Sequence, residues 1–459
     1  MTFLAASPVR FSDPLPAATD IVIIGGGIIG VMTAWFLAKR GIRSVICEKG
    51  RVAGEQYSRN WGWIRQQGRD PAELPIMIEA SHIWQGLARE SGEDLGFRKT
   101  GMLYLANSAR DIALYEDWLK IAKSHHLDTR VLSQAEIAAM LPGSQANWPG
   151  GLWTASDGRA EPWIAVPALA RAAQRLGVTI IEDCAARSLD LHGGRVAGVI
   201  TEKGRIACGQ SIVAGGAWSS LFLRNHGVEI PQLSVRATVA QTAPMAEIFS
   251  GAAADSDIAF RRRQDGGYTL APGNFHELFI GPDAFRRLPK FLPQLLKNPF
   301  GTKYLPYAPK HYTDAWGTRR TWSGDDVSPF EAMRVLDPAP NLKAVRRLQS
   351  HFAAAFPALG IPEIKSAWAG MIDTMPDIVP VIDRIPSIPG LIVATGMSGH
   401  GFGIGPGVGR VVADLAADRP VGHDLTRFRF SRFRDGSKSF WSNRRSRVHR
   451  PMPAISMPK

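Results

Sequence analysis

The feature that most constrains this chain is a glycine turn set between a strand and a helix. Asp20-Ile21-Val22-Ile23-Ile24 is a short, apolar, β-branched run, which reads as a buried strand. Gly25-Gly26-Gly27-Ile28-Ile29-Gly30 follows, and residues 31–40 then read as a helix that Gly41 stops. Ser44-Val45-Ile46-Cys47 predicts a second strand, with Glu48 at its end, 18 positions after Gly30. In such a unit Gly25 allows a tight turn, Gly27 lets backbone approach a pyrophosphate, and Gly30 lets helix and strand pack closely. The helix start offers free N–H groups and partial positive charge to phosphates. Glu48 can accept hydrogen bonds from ribose hydroxyls. The unit predicts a dinucleotide site, but by itself it does not separate NAD from FAD.

The rest of the chain predicts a discontinuous layout. Residues 71–90, 112–125 and 163–176 have helical spacing, and Val178-Thr179-Ile180-Ile181 reads as a strand. Gly193-Gly194 punctuates a hairpin between 188–191 and 196–200. Ser211-Ile212-Val213-Ala214 is a further buried strand, and Leu391-Ile392-Val393-Ala394 a late one. Between them, 232–365 reads as mixed strands and helices. Residues 396–409 are glycine-rich, and a helix resumes at Val411. At 459 residues the chain exceeds one ordinary domain. The reading assigns 17–95, 151–231 and 366–423 to a nucleotide domain. It assigns 96–150 and 232–365 to a second domain, and 424–459 to a basic tail.

Composition narrows the class. With 45% hydrophobic and 21% charged residues, the chain is neither disordered nor fibrous. No apolar run approaches the ~18 residues of a membrane span. The first 20 residues carry Pro8, Asp13, Pro14 and Pro16 and lack the pattern of a secretory signal. Cys47, Cys184 and Cys208 are too scattered for a disulfide framework, and no CxxC pair suggests zinc, so no metal and a cytoplasmic location are expected. Of the net +13, much sits in the tail: from Val421 onward ten basic residues face two acidic ones. This run reads as a solvated or subunit-contacting tail rather than a nucleic-acid site. Residues 441–459 are expected to fray.

Three further segments carry a resemblance. They are Gly54-Glu55-Gln56-Tyr57-Ser58-Arg59-Asn60-Trp61-Gly62-Trp63-Ile64-Arg65, Ile212-Val213-Ala214-Gly215-Gly216-Ala217-Trp218-Ser219, and Gly390-Leu391-Ile392-Val393-Ala394-Thr395-Gly396-Met397-Ser398-Gly399-His400-Gly401-Phe402. With the glycine turn, these four motifs occur in an order that resembles the D-amino-acid oxidase, glycine oxidase and sarcosine oxidase family of flavoproteins, iminodiacetate oxidase included. The resemblance runs from about residue 20 to 420. It implies an α/β fold: a Rossmann-like, glutathione-reductase-type FAD domain with an inserted α+β substrate domain on a mixed sheet. It implies that Gly25, Gly27, Ile28, Ile29 and Gly30 hold the FAD pyrophosphate, and that Glu48, with Lys49 beside it, binds the adenosine ribose. Ser58, Arg59, Asn60 and Gly62 would run towards the isoalloxazine, and Ala186 would meet the adenine. Gly215, Gly216 and Trp218 would line the adenosine side. Gly370 with the residues to 373, and Gly399, His400, Gly401, Phe402 and Gly403, would wrap the flavin ring. Some members link flavin to a Cys; residues 369–377 contain none, so the resemblance implies non-covalent FAD.

The chain also departs from the family. An Arg-Pro pair that clamps substrate in glycine oxidase-like members is replaced by Ile372-Asp373. The Lys that serves oxygen activation in sarcosine oxidase-like members is matched by Thr269. A carboxylate still calls for an Arg fork. Arg65 is the first candidate, then Arg262 and Arg263; each has a structural ion pair or strand edge as its alternative. Tyr268 is a candidate for substrate hydrogen bonding or for core packing, and His400 for a flavin-facing role or a loop contact. Trp61, Trp63 and Trp368 wall the active site or simply pack. The implied activity is oxidation of glycine, an N-substituted glycine such as sarcosine or iminodiacetate, or a D-amino acid. Hydride moves to flavin N5 and the imine hydrolyses. Electrons go to oxygen or to a redox partner; the alternative is the flavin subunit of a multi-subunit dehydrogenase of the opine or sarcosine oxidase type. No nucleic-acid partner is expected, and homo-oligomerisation stays open. A NAD-dependent dehydrogenase is the reading that a colourless protein would favour.

Overall fold

A computed structural model describes residues 2–273, 275–297 and 301–436. The β-branched runs pair as a six-stranded sheet, in the order 381–384, 391–395, 210–213, 21–24, 44–47 and 179–181. Five strands are parallel and the 381–384 edge is antiparallel. The register sets Ile24 beside both Cys47 and Val213, so Gly25, Glu48 and Ala214 emerge at one sheet edge. Ligands of open parallel sheets bind at that edge, outside the strands' carboxyl ends. Helices 28–38, 74–91 and 401–416 cover this sheet with a continuous apolar core that includes Val31, Trp84 and Val408.

A ten-stranded mixed sheet forms the second layer, and strand Ile364–Thr374 pairs along the whole of Leu233–Thr242. Its period of two puts Leu233, Val235, Ala237 and Val239 on the face turned to the nucleotide sheet, where Ile372 and Thr374 stand as cross-strand neighbours. The fold expected from the family resemblance is the one observed. The helix Pro282–Lys297 points Phe291 and Leu295 inwards. Its opposite stripe, Phe285, Leu288, Leu292 and Leu296, is exposed.

Two regions differ from the sequence reading. The helix that the periodicity resumes at Val411 begins ten residues earlier, at Gly401, within the 399–403 set where the resemblance implies a helix start. The glycines are packing devices: a Cβ on Gly409 would stand 2.5 Å from that of Met32. The tail is not simply solvated as far as it is described. Phe428 and Arg432 are buried against the body, because apolar and charged side chains alternate there and Asp377 receives the Arg432 guanidinium. The segment 441–459, expected to fray, lies outside the described residues. Among the described residues no helix is long and apolar enough to cross a membrane.

Candidate active site

At the sheet edge Gly25, Gly27, Glu48, Lys49, Ala186, Gly215, Gly216 and Trp218 line one cavity. Gly25 has φ +115°, a turn that a Cβ would close against the Ala214 carbonyl. The first helix opens at Gly27 with no side-chain cap, so its first N–H groups are left for a ligand. A Cβ on Gly27 would reach the Tyr57 ring at 2.5 Å. Glu48 accepts from Gly26 N and Gly50 N, both at 2.8 Å. Burial raises its pKa to about 7, against the pull of Lys49. Each oxygen keeps a lone pair for a hydroxyl. This donor and acceptor set fits a dinucleotide: uncapped N–H groups for phosphates, a carboxylate for ribose.

Several expected contacts are indirect. Ile28 and Ile29 are buried in the core, leaving only their backbone for a ligand. The Lys49 ammonium is taken by Glu55 (2.5 Å) and the Met333 carbonyl (2.6 Å), and Glu55 also accepts from Trp218 Nε1 and Leu336 N. Ser58 is buried, with Oγ bonded to the Glu55 carbonyl at 3.3 Å. The Arg59 guanidinium is tied to Asp337 (2.5 Å) and to the carbonyls of Phe3, Gly54 and Ala369. Asn60 accepts from Gly62 N at 2.7 Å, closing the turn at Gly62, whose φ is +76°. Gly370 lies against the Gln56 side chain, Gly401 beside the Tyr57 hydroxyl, and the Gly403 carbonyl accepts from Trp84 Nε1.

The second cavity, of about 340 Å³, opens between the sheets. Asn60, Trp61, Trp63, Arg65 and Arg69 line it together with Ser398, Gly399, His400 and Phe402. Arg65 lies 5.6 Å over the Tyr104 ring and donates to the Gln67 carbonyl. Arg69 donates from Nε to the Arg65 carbonyl at 3.1 Å, while its buried Nη1 has no partner among the described residues. Burial, then Arg65, lowers the Arg69 pKa to about 9, so it stays cationic at neutral pH. Glu73 is 1% exposed, and its Oε2 lies 3.2 Å from His400 Nδ1. Burial raises the Glu73 pKa to about 7, opposed by Arg69 and Arg65. Burial, then Arg69 and Arg65, holds His400 well below its ordinary value, so the imidazole is neutral. With Glu73 ionised, Nδ1–H donates to it and Nε2 is left as an acceptor.

Three candidates do not reach this cavity. Tyr268 is fully buried in the core of the ten-stranded sheet; its hydroxyl accepts from Ile248 N and donates to the Phe249 carbonyl. Arg262 packs 5.0 Å over the Tyr268 ring and donates to the Met245 carbonyl. Arg263 pairs with Asp265. The pleat explains Arg262 and Tyr268: Arg262 pairs across the ladder with Tyr268, and Arg261 with Thr269, on alternating faces, while Arg263 lies past the strand's last residue. Arg261 is therefore the one that approaches Gly62, held by both oxygens of Glu161 at 3.0 Å. Trp368 is buried, with Nε1 bonded to the Arg59 carbonyl. The sequence reading missed Glu55, Tyr57, Arg69, Glu73 and Arg261. Only Arg69, four residues from Arg65, carried a signal.

The family profile described as DAO, FAD dependent oxidoreductase, matches residues 20–415. The chain belongs to this family. It is an FAD-dependent oxidoreductase. The oxidoreductase is 26% identical over 434 residues to "Sarcosine oxidase subunit beta" of Rhizobium meliloti (strain 1021), covering 93% of this chain and 91% of that one. Against "Sarcosine dehydrogenase, mitochondrial" of Mus musculus it is 29% identical over 232 residues, 49% of this chain but only 25% of that protein's length. The L-amino acid deaminase of Proteus myxofaciens, solved in complex with anthranilate, superposes with TM-score 0.89 at 30% identity, covering 94% of this chain and 97% of that one.

Proposed function

We propose that this FAD-dependent oxidoreductase oxidises the CH–NH bond of an α-amino acid, primary or N-substituted, to an imine that water hydrolyses to an oxoacid and an amine. The carrying observation is that Arg65 and Arg69 line the same cavity as His400, with a buried Arg69 Nη1 that has no partner among the described residues. A carboxylate would complete that guanidinium, and a charge-assisted fork also fixes orientation. When bound, FAD supplies the hydride acceptor. The residues proposed to hold it are Gly25, Gly27, Glu48, Ala186, Gly215, Gly216 and Trp218, with Gly399 to Gly403 at the flavin end. The uncharged His400 Nε2 would accept a hydrogen bond from the substrate amine, which must be in the neutral form that oxidation requires. Leu233, Val235, Val239, Phe291 and Leu295 wall the cavity. Such walls favour an apolar side chain over glycine, sarcosine or iminodiacetate. The likeness to a structure named as an L-amino acid deaminase supports the same class.

The second reading concerns the electron acceptor. Thr269 stands where an oxygen-activating Lys is matched, and neighbouring Arg261 is locked to Glu161. This favours passage of electrons to a redox partner over direct use of oxygen, in line with a relative named as a subunit.

The test is a visible spectrum followed by anaerobic titration with L-leucine, L-phenylalanine, D-alanine, D-lysine, glycine, sarcosine and iminodiacetate. Bleaching of the flavin by the larger apolar amino acids is expected, with slow recovery in air. A protein whose flavin none of them reduces would defeat the proposal, and fast recovery in air would defeat the redox-partner reading.

A further inference from the structure

Ile378 holds a backbone conformation that its own side chain opposes. Its φ is +63°, the left-handed region, where a β-branched residue is a true outlier. In the run 375–380 every residue but Ile378 is buried, and the surface that Ile378 keeps lies in the substrate cavity with Arg65, Arg69 and His400. The strained unit is held on both sides. Asp377, itself buried, accepts from Arg432 Nε (2.9 Å), Arg432 Nη2 (3.1 Å) and Arg427 Nη1 (2.9 Å). Arg432 Nη2 also donates to the Val379 carbonyl at 2.6 Å, and Ile378 N closes the turn onto the Met375 carbonyl at 3.1 Å. One guanidinium from the C-terminal segment thus fixes the residues before and after Ile378. Strain of this kind persists only where the surroundings over-determine it, and it gathers at functional sites. Glycine would suit this backbone but would leave the cavity wall without its branched side chain.

We propose that Ile378 sets the size of the substituent admitted beside the Arg65–Arg69 carboxylate anchor, and that the Asp377–Arg432 pair is the positioning device that holds it there. The inference rests on the carboxylate reading above and adds to it the residue that selects among substrates.

The experiment uses holoenzyme and needs no turnover. The flavin absorption change is titrated with acetate, butyrate and phenylacetate for wild type, I378V, I378G and R432A. In I378G the ratio of the phenylacetate to the acetate affinity is expected to rise about tenfold, with the melting temperature kept or raised. I378V keeps the branch and is expected to hold the wild-type ratio within about twofold. R432A is expected to move the ratio as I378G does. A wild type that responds to the whole series while I378G leaves the ratio unchanged overturns the size role. A ratio unchanged in R432A, with only a lower melting temperature, overturns the positioning role. If no carboxylate perturbs the wild-type flavin, the carboxylate reading falls, and this proposal with it.

Discussion

Glu73 is buried against the His400 imidazole, with the charges of Arg69 and Arg65 acting on it, and its titration decides how the proposed substrate cavity is charged. Burial lifts its pKa from the ordinary 4.5 to about 7. The folded chain therefore holds that proton more tightly than the unfolded chain does. Its stabilising contribution is complete below pH 4.5 and is lost as pH rises towards 7, where the charge must form in a buried site. Glu73→Gln keeps the neutral form and can still accept from His400 Nδ1. It should raise stability at pH 8 by ~1–3 kcal/mol and change little near pH 4.5. Urea unfolding at the two pH values checks this; an equal shift at both would discard the titration argument. Arg69 and Arg262 give the matching contrast for ligand binding. Arg69→Met should weaken carboxylate affinity ~10–100-fold, the worth of a charged hydrogen bond, with flavin content kept. Arg262→Met should leave that affinity unchanged, since Arg262 packs on Tyr268 away from the cavity. Equal losses in the two variants would move the anchor elsewhere.

The Gly401–Ala416 helix shows where element-level reasoning succeeds and where it fails. By intrinsic propensity, Gly401, Gly403, Gly405, Gly407 and Gly409 argue against a helix, each costing about 1 kcal/mol relative to Ala. Tertiary packing wins, because a Cβ on Gly409 would meet Met32 backbone at 2.7 Å and one on Gly405 would meet Ile28 at 2.7 Å. Gly409→Ala should therefore destabilise by ~1–3 kcal/mol despite the better helix former. Gly86→Ala, in the Leu74–Ser91 helix, meets only the far end of Glu90 at 3.3 Å and should stabilise by about 0.5–1 kcal/mol. Thermal melts that moved both variants in the same direction would refute the packing account. The strands Ile21–Ile24 and Ser44–Cys47 were legible because β-branched runs between turn signals report burial directly. The face of Arg261 against that of Arg262 was not, since alternation along a strand gives two faces and no label for either. Glu73 was equally hidden: His400 reaches it only through the fold, 327 positions separating the two.

At the scale of the molecule, the nucleotide cavity draws its walls from distant stretches of chain. Gly25, Gly27, residues from Cys47 to Tyr57, Ala186, Val213 to Ser219, Phe330 and Asp373 all border it. These stretches come from both sheets and from the connections between them, so a ligand bridging them favours the folded arrangement as a whole. By linkage, FAD at about 1,000 times its Kd should add ~4 kcal/mol to unfolding, provided the unfolded chain does not bind it. Removing the flavin should lower the urea midpoint, and adding it back should restore the midpoint. The N-terminal glycine turn makes this specific. In Gly27→Ala the new Cβ stands 2.5 Å from the Tyr57 ring, at the helix start whose N–H groups are uncapped. That variant should lose most of the FAD-dependent shift. Its far-ultraviolet dichroism should match wild type, because the helix itself tolerates alanine. A Gly27→Ala protein that kept the full shift would mean the glycine turn is not where FAD joins the two halves of the fold. The cofactor's contribution to stability would then have to come from the other walls of the cavity, Ala186, Val213 to Ser219, Phe330, Met371 and Asp373.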